Sequence, residues 1–277
     1  MRNCVTPPSR RRSDARSSAC TATSRASRSD SGPIGKFRVK SDERVLQELD
    51  VLRGLGVRQL YVEDDSLFGQ KPRALRLLRA MQDSGFHILG VNGINIVHML
   101  KRHEPDDEVI DALVGAGFRD INLPFESANP RIVRTYASNK WDVQRSNVAG
   151  LIRRLKDRGF WLSANYMIGY PDESREEIEA TINLAREHHS LGVDAANIFL
   201  VIPLPGTPIF DLAVERGHLP GGFDPDRLTW NKANMVDTLV PAEELEEIRA
   251  SAWEDLNDPR FVAYKKSMLV SSAAGIG

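Results

Sequence analysis

Cysteine, long apolar runs and an excess of charge of either sign are what this sequence has least of. Its two cysteines, Cys4 and Cys20, both lie in the first tenth of the chain. So few cysteines make neither a disulfide framework for a folded body nor a metal site alone, so we expect a reducing, cytoplasmic setting. No run approaches the roughly 20 apolar residues that span a bilayer. The net charge of -1 lacks the basic excess of general nucleic-acid or membrane-surface binders, and we expect neither partner.

The first 35 residues differ in composition from everything after them. They are rich in Arg and Ser and contain almost no large apolar side chain. A segment of this kind buries too little surface to offset its ordering entropy, which predicts disorder for residues 1–35. Arg-rich, Ser-rich and acid-poor composition also fits an organellar transit peptide. A third interpretation, a mistranslated stretch, depends on the resemblance given below.

From Lys36 onward, apolar stretches alternate with amphipathic ones. The five predicted strands are RQLYVEDD, FHILGVNGI, FRDINLPFES, FWLSANYMIGY and VDAANIFLVIPL. The helices between them are predicted in KPRALRLLRAMQDSG, DDEVIDALVGAG, NPRIVRTYAS, VQRSNVAGLIRRLKDRG and ESREEIEATINLAREHHSLG, after a first helix opened by Ser41 and Asp42. Strands alternating with helices indicate an α/β fold with a parallel sheet. Because no G-x-G-x-x-G follows a strand, a barrel or partial barrel is favoured over a doubly wound sheet.

The end of the chain contains an amphipathic segment, PAEELEEIRASAWEDL, with an apolar face formed by Leu245, Ile248, Ala252 and Leu256. This face predicts a helix that docks against the body. The chain is therefore divided into residues 1–35, a barrel-like region over 36–215, and an extension over 216–277 with the docking helix.

Polar residues, Gly and Pro follow each predicted strand, where a parallel barrel binds its ligands. Glu63, Asp64 and Asp65 follow the first strand, and three adjacent acids that repel one another favour a ligand. Asn92, after the second strand, is a candidate substrate contact. For single acids such as Glu126 and Asp172, charges that complement a helix dipole are the favoured interpretation. The Gly169-Tyr170-Pro171 stretch is explained by a turn alone.

Four of these loops together resemble one family. The stretches are EDDSLF, INLPFESANPRIV, NYMIGYPDESREEIEATI and VIPLPGTPIFDLAVERG, in this order. They closely resemble the radical S-adenosylmethionine (SAM) enzymes, and within them the subgroup that usually carries an upstream cobalamin-binding domain. The resemblance runs from about Lys36 to Met268.

The resemblance implies a partial (β/α)6 barrel of the TIM type. It also implies a C-x-x-x-C-x-x-C loop after the first strand, whose thiolates hold a [4Fe–4S] cluster that binds SAM. Further expectations are a small organic substrate, an electron donor such as flavodoxin or ferredoxin, and cobalamin through an absent upstream domain.

The resemblance also assigns SAM contacts to individual strand ends. Glu63, Asp64 and Asp65 match the segment near the SAM amino group, and Glu126 and Ser127 match the position facing the ribose or methionyl part. Ile168 and Gly169 match the strand end along the adenine, and Pro203 and Pro205 lie where family members also approach adenine.

The sequence departs from the family at the cluster loop. Thr23-Ser24-Arg25 resembles the lead-in to the triad, but no cysteine follows it. Serines there are neutral alcohols and poor substitutes for soft thiolates. A cluster-free barrel and a frameshift upstream of about Gly35 both explain the loss, and we favour the frameshift. In that case the first strand is missing as well, and RQLYVE becomes an unpaired edge.

Three functional hypotheses follow. The first is a radical SAM core that binds SAM for radical chemistry on a small organic molecule. The second is an inactive, truncated barrel that serves as a binding module or is a relic. The third, a metal-dependent barrel hydrolase using Glu63, Asp64 and Asp65, is disfavoured because no histidine clusters at the strand ends. We therefore predict no metal ligands in this chain.

Overall fold

The computed structural model describes residues 38–64, 66–90, 92–137 and 140–263. The predicted segment 1–35 therefore lies outside the described residues, as do Asp65 and residues 264–277. The elements in chain order are α1 (Asp42–Gly54), β1 (Gln59–Val62), α2 (Lys71–Ala80), β2 (His87–Gly90), β3 (Leu100–Lys101), β4 (Glu104–Pro105), α3 (Asp107–Ala116), β5 (Phe118–Glu126), α4 (Pro130–Thr135), α5 (Val148–Asp157), β6 (Trp161–Ile168), α6 (Arg175–Ser190), β7 (Ala195–Leu200), α7 (Pro208–Glu215) and α8 (Ala242–Asp255).

All five predicted strands belong to one sheet, in the order β1-β2-β5-β6-β7. Every pair of neighbours in this sheet is parallel. The predicted α/β fold with a parallel sheet is thereby confirmed. The structure adds an antiparallel pair, β3 with β4, that the sequence analysis did not predict. Each strand of this pair has two residues, which is too short to show a period of two.

Several helices begin at polar residues whose side chains cap free N–H groups, whereas α2 and α8 have no side-chain cap. Ser41 caps α1, as predicted, and Asp106, Asn129 and Ser174 cap α3, α4 and α6. The helix predicted from VQRSNVAGLIRRLKDRG is shorter than expected and begins at Val148. The side chain of Asp142 accepts the N–H groups of the next turn, and the side chain of Asn147 accepts from the N–H of Gly150 at 2.8 Å.

Helices cover one face of the sheet. Along β6, Leu162, Ala164, Tyr166 and Ile168 are fully buried in the main core, which α2, α3, α5 and α6 also line. The alternate residues of β6, Ser163, Asn165 and Met167, point to the opposite face and are half-buried. We call this opposite face the inner face. It is the side of the sheet on which a barrel would enclose a ligand.

The helix α8 docks against β7, as its amphipathic pattern predicts. Leu245, Ala252 and Leu256 are buried in the main core, and Ile248 packs against it. Past the end of α8, the Asn257 side chain bonds both the N–H and the C=O of Ala196 on β7, at 3.2 and 2.8 Å. The outer edge of β7 is thus closed by side chains instead of by another strand.

The opposite edge of the sheet is β1. Within the described part of the chain β1 pairs only with β2, and Tyr61 on it is 63% exposed. The helix α1 beside it buries none of its residues fully. Over the same described residues, no helix is both long enough and apolar enough to cross a membrane.

Candidate functional site

The carboxyl ends of the five parallel strands meet at one edge of the sheet, where the predicted site residues lie. Glu63 and Asp64 follow β1 and are both exposed. Asn92, after β2, is also exposed, and its Nδ2 donates to the backbone oxygen of Glu63 at 2.9 Å. The first two strand ends are therefore tied together. Asp65 lies outside the described residues, and its predicted role stays a prediction.

Glu126 ends β5 in an unusual conformation. Its φ is +68°, and the pairing with β6 shifts register between Pro124 and Glu126. A non-glycine residue in the left-handed region costs of order 1–3 kcal/mol, and such residues recur at functional sites. The strand end therefore positions this carboxylate at the expense of backbone energy.

Lys140 pairs with Glu126, with 2.5 Å between its Nζ and Oε1 of the carboxylate. The two side chains are 19% and 9% exposed. Two charges this well removed from water need each other, because an unpaired buried charge is costly. Sequence reasoning missed Lys140, since it lies in an irregular loop and matches none of the quoted motifs.

Ser127 is fully buried and builds the turn after β5. Its Oγ accepts from the N–H of Asn129 at 3.1 Å and lies 3.2 Å from Oγ1 of Thr181 on α6. The side chain predicted to face SAM thus holds the β5 loop against the next helix. Whether it also meets a ligand stays a prediction.

A buried carboxylate organises the turn after β6. Gly169 has φ +87°, which a side chain would strain. Oε2 of Glu173 accepts from the N–H of Gly169 at 2.7 Å and from the N–H of Tyr170 at 3.2 Å. Glu173 is 1% exposed, and this burial raises its pKa to about 8. Glycine and carboxylate together therefore explain how the buried strand passes into α6.

Ile168, the last residue of β6, is fully buried in the core between sheet and helices. Its side chain lies away from the inner face, while its backbone oxygen accepts from the N–H of Val201 at 3.1 Å. Only the backbone of Ile168 is thus placed toward the strand ends.

An arginine joins the loops after β5 and β6. Arg131 donates to both carboxylate oxygens of Glu177, at 3.1 and 2.7 Å, and to Oδ2 of Asp172 at 3.0 Å. The hydroxyl of Tyr136 donates to the other oxygen of Asp172 at 2.7 Å. The hydrogen bond from Arg131 lowers the pKa of Glu177. Asp172, interpreted from the sequence as a dipole charge, is therefore a bridge between two loops.

The loop after β7 is covered by a stretch of the C-terminal extension. Pro203 is buried and Pro205 exposed, and the side chain of Thr207 caps α7 by accepting from the N–H of Phe210. Nδ2 of Asn234 donates to the backbone oxygen of Val201 at 3.4 Å. A stretch of the C-terminal extension thus lies over the end of β7.

The donors in this chain do not fit a [4Fe–4S] cluster. The chain has two cysteines, both outside the described residues, where three thiolates are needed. Over the described residues, no three His, Cys, Asp or Glu side chains are grouped as a metal site.

Two proteins of known sequence are similar to most of this chain. An uncharacterized methyltransferase of Pyrococcus horikoshii is 27% identical over 206 residues, covering 74% of this chain and 41% of that protein. A tRNA-2-methylthio-N(6)-dimethylallyladenosine synthase of Thermus thermophilus is 28% identical over 178 residues, covering 60% of this chain and 35% of that protein. This chain thus spans less than half the length of either relative.

A solved structure shares the fold. The radical SAM methyltransferase TsrM from Kitasatospora setae, with tryptophan substrate and a SAM analogue bound, matches with a TM-score of 0.54 and 18% identity. The match covers 67% of this chain and 35% of that one.

The family model described as the Radical SAM superfamily matches residues 18–185. The match begins upstream of Lys36, where we placed the start of the resemblance, and so includes Cys20. Cys20, Ser24 and Ser27 have the spacing of C-x-x-x-C-x-x-C with serine at two of its three places. Because the matched range is more than half of the 277 residues, this chain belongs to the radical SAM superfamily.

Proposed function

We propose that this chain binds SAM at the carboxyl end of its parallel sheet, as the core of a radical SAM enzyme for a small organic substrate. The observation that carries the proposal is the pairing of Glu126 with Lys140 at the end of β5, next to the Gly169 turn at the end of β6. The two strands are neighbours in the sheet. The charged pair and the glycine turn therefore lie next to each other at the carboxyl end of the sheet.

The charged pair is matched to an α-amino acid. The methionyl end of SAM carries an ammonium and a carboxylate, and Glu126 and Lys140 offer the opposite charges at 2.5 Å. Exchanging one ion pair for two leaves no buried charge unpaired. Glu63, Asp64 and Asp65 are proposed around the same ammonium, and Ser127 near the ribose.

The adenine is proposed to lie along the backbone of Ile168 and Gly169, with Pro203 and Pro205 on its other side. Glu173 fixes this backbone by accepting from the N–H of Gly169, whose missing Cβ would face Leu245. Asn92, exposed at the same mouth, is proposed as a substrate contact.

The rest of the enzyme is proposed to lie outside this chain. The chain spans 41% and 35% of the two relatives, and among the described residues β1 pairs only with β2, as expected of a partial barrel that lacks its first strand. A complete relative would supply the cluster ligands, the docking site for an electron donor and, as in a TsrM structure with cobalamin and [4Fe–4S] cluster bound, a cobalamin site.

Isothermal titration of SAM into the purified full chain tests the proposal. We expect binding to the wild type and about tenfold weaker binding, or about 1.4 kcal/mol, to Lys140→Met. Lys140→Met combined with Glu126→Gln removes both charges and leaves none buried alone. Lys156→Met is the matched control, because Lys156 pairs with Asp194 before β7, at the far end of the strands. Absence of SAM binding to protein that is folded by circular dichroism would overturn the proposal.

A second function, a binding module without radical chemistry, is favoured by the missing thiolates. Anaerobic reconstitution with iron and sulfide, followed by iron analysis and electron paramagnetic resonance, separates the two. We expect no retained cluster. A stable four-iron cluster in this chain would contradict the second function. Sequencing the gene upstream of the Gly35 codon in all three frames would show whether the triad was lost to a frameshift.

A further inference from the structure

Neutral polar side chains occupy the middle of the inner face. Asn122 on β5 lies beside Ser163 on β6, and Asn165 lies beside Asn197 on β7, as neighbours in register. Nδ2 of Asn197 donates to Oδ1 of Asn165 at 3.0 Å. We call these four residues the amide face.

The amide face contains an acceptor that is not satisfied. Oδ1 of Asn122 is buried and has no hydrogen-bond partner in the described part of the chain. A buried polar atom without a partner costs about 1–3 kcal/mol. Nδ2 of Asn165 is a donor on the same face, next to the oxygen that Asn197 already uses. The face therefore contains an acceptor without a partner and, on the diagonal neighbour two residues further along β6, a donor.

Charged pairs bound the amide face along the strands but do not enter it. Toward the amino ends, Nε2 of His87 lies 3.5 Å from Oδ2 of Asp120, and at the carboxyl ends Lys140 pairs with Glu126. Between them, the inward positions 122, 124, 163, 165, 167, 197 and 199 hold Asn, Pro, Ser, Asn, Met, Asn and Phe. A charged ligand at this depth would meet no opposite charge, which makes its desolvation costly.

Apolar side chains border the amide face on two sides. Met167 and Phe199 lie beside each other in register, one step closer to the strand ends. Leu89 on β2 and Tyr61 on β1 continue the inner face toward the open edge. These side chains supply the apolar surface that the faces of a flat ring would need if its polar edge met the amides.

We propose that the amide face binds the substrate of this enzyme, and that the part of the substrate bound there is an uncharged cyclic amide or a heteroaromatic ring with adjacent C=O and N–H groups. The ring N–H donates to Oδ1 of Asn122, and the ring C=O accepts from Nδ2 of Asn165. This substrate class deepens the proposed SAM-dependent function and rests on it.

Three small probes test the proposal on the full chain. 2-Pyridone carries the C=O and N–H pair, N-methyl-2-pyridone lacks the N–H, and 6-hydroxynicotinate adds a carboxylate to the same ring. Saturation-transfer NMR titrations measure their affinities with and without SAM. We expect 2-pyridone to bind about tenfold more tightly than either of the other probes, which is the usual effect of one lost hydrogen bond to a site built for it.

Variants locate the contact. In Asn122→Leu, we expect 2-pyridone to bind no more tightly than its N-methyl analogue, because the acceptor is gone. The double variant Asn165→Leu with Asn197→Leu removes both paired amides together and is expected to abolish binding of 2-pyridone. Asn183→Leu is the control, because Asn183 is exposed on α6 and bonds Arg186 on the helix side of the sheet.

The outcomes distinguish this inference from the proposed function. If SAM binds and the three probes bind equally or not at all, the amide face is not the substrate site and the SAM proposal stands. If 2-pyridone binds selectively and SAM does not, the amide face stands as a binding site and the SAM proposal falls. Equal loss of 2-pyridone binding in Asn183→Leu would also overturn the assignment.

Discussion

The carboxylate of Glu173 is predicted to hold the turn after β6, and its removal should cost a large part of the stability. Glu173→Ala leaves the N–H groups of Gly169 and Tyr170 buried without the acceptor they use at 2.7 and 3.2 Å. Each unsatisfied buried N–H costs about 1–3 kcal/mol. We therefore expect a loss of about 2–6 kcal/mol, against a total of about 5–15 kcal/mol for an ordinary domain.

Glu173→Gln separates the hydrogen bonds from the charge. The amide oxygen of Gln replaces the acceptor, while the titratable proton is removed. Burial raises the pKa of Glu173 from its ordinary value of 4.5 to about 8, so the folded chain binds this proton more tightly than the unfolded chain. The resulting contribution to stability is complete below about pH 4.5 and is lost as the pH rises to about 8. The difference between a pKa of 4.5 and a pKa of about 8 corresponds to at most about 5 kcal/mol in the free energy of unfolding.

Urea unfolding followed by circular dichroism, at several values from about pH 5 to about pH 8, measures both effects. We expect the wild type to lose stability across this range and the Gln variant to lose less. Glu179→Ala is the control, since its exposed partner Arg175 lies 3.8 Å away and such pairs contribute about 0–1 kcal/mol. A cost below about 1 kcal/mol for Glu173→Ala, or an unchanged pH slope in Glu173→Gln, would refute the reasoning.

Three further predictions concern the same strand ends and the closed edge. Gly169→Ala adds a Cβ 3.3 Å from Leu245 at φ +87°, and we expect a cost of about 1–2 kcal/mol, measured as a lower melting temperature. Asn257→Ala uncovers the N–H and C=O of Ala196, and faster hydrogen exchange of that amide is expected, with unchanged exchange counting against the edge-closing role. Arg131→Lys keeps the charge but loses the planar fork to its two carboxylates, and we expect a loss of about 1 kcal/mol in urea unfolding, which equal stability would contradict.

Much of the fold follows from local patterns in the sequence. Ser174 before an acidic first turn gives a complete capping box with Glu177, and the helix predicted there is α6. The helix predicted from DDEVIDALVGAG ends where Gly117 takes φ +102°. These elements were predictable because the residues that define them lie within a few positions of one another.

The remainder depends on partners distant in the sequence. No sequence pattern near Glu126 predicts its pairing with Lys140, which lies 14 residues later. Similarly, Asn257 closes the edge of β7 from 61 residues away. Helix α5 begins later than predicted because the side chain of Asp142 accepts from the N–H groups of Gln144 and Arg145 and forms a turn there in place of helix. The spacing of apolar residues contains no signal for this turn. The residue types at the strand ends could thus be read from the sequence, and the partners of each charge could not.

Because the edge of β7 is closed, a further strand can pair with the described sheet at one edge only. Backbone groups of Ala196 and Ile198 that would template another strand are taken by Asn257 and Arg249. Only β1, at the other end, is left free to extend the sheet among the described strands. A chain shortened to end at Glu215 would lack Arg249 and Asn257. The edge of β7 would then be free to pair with strands of other copies of the chain. We expect such a fragment to associate through either edge and to form open-ended assemblies, whereas the described strands of the longer chain offer one free edge.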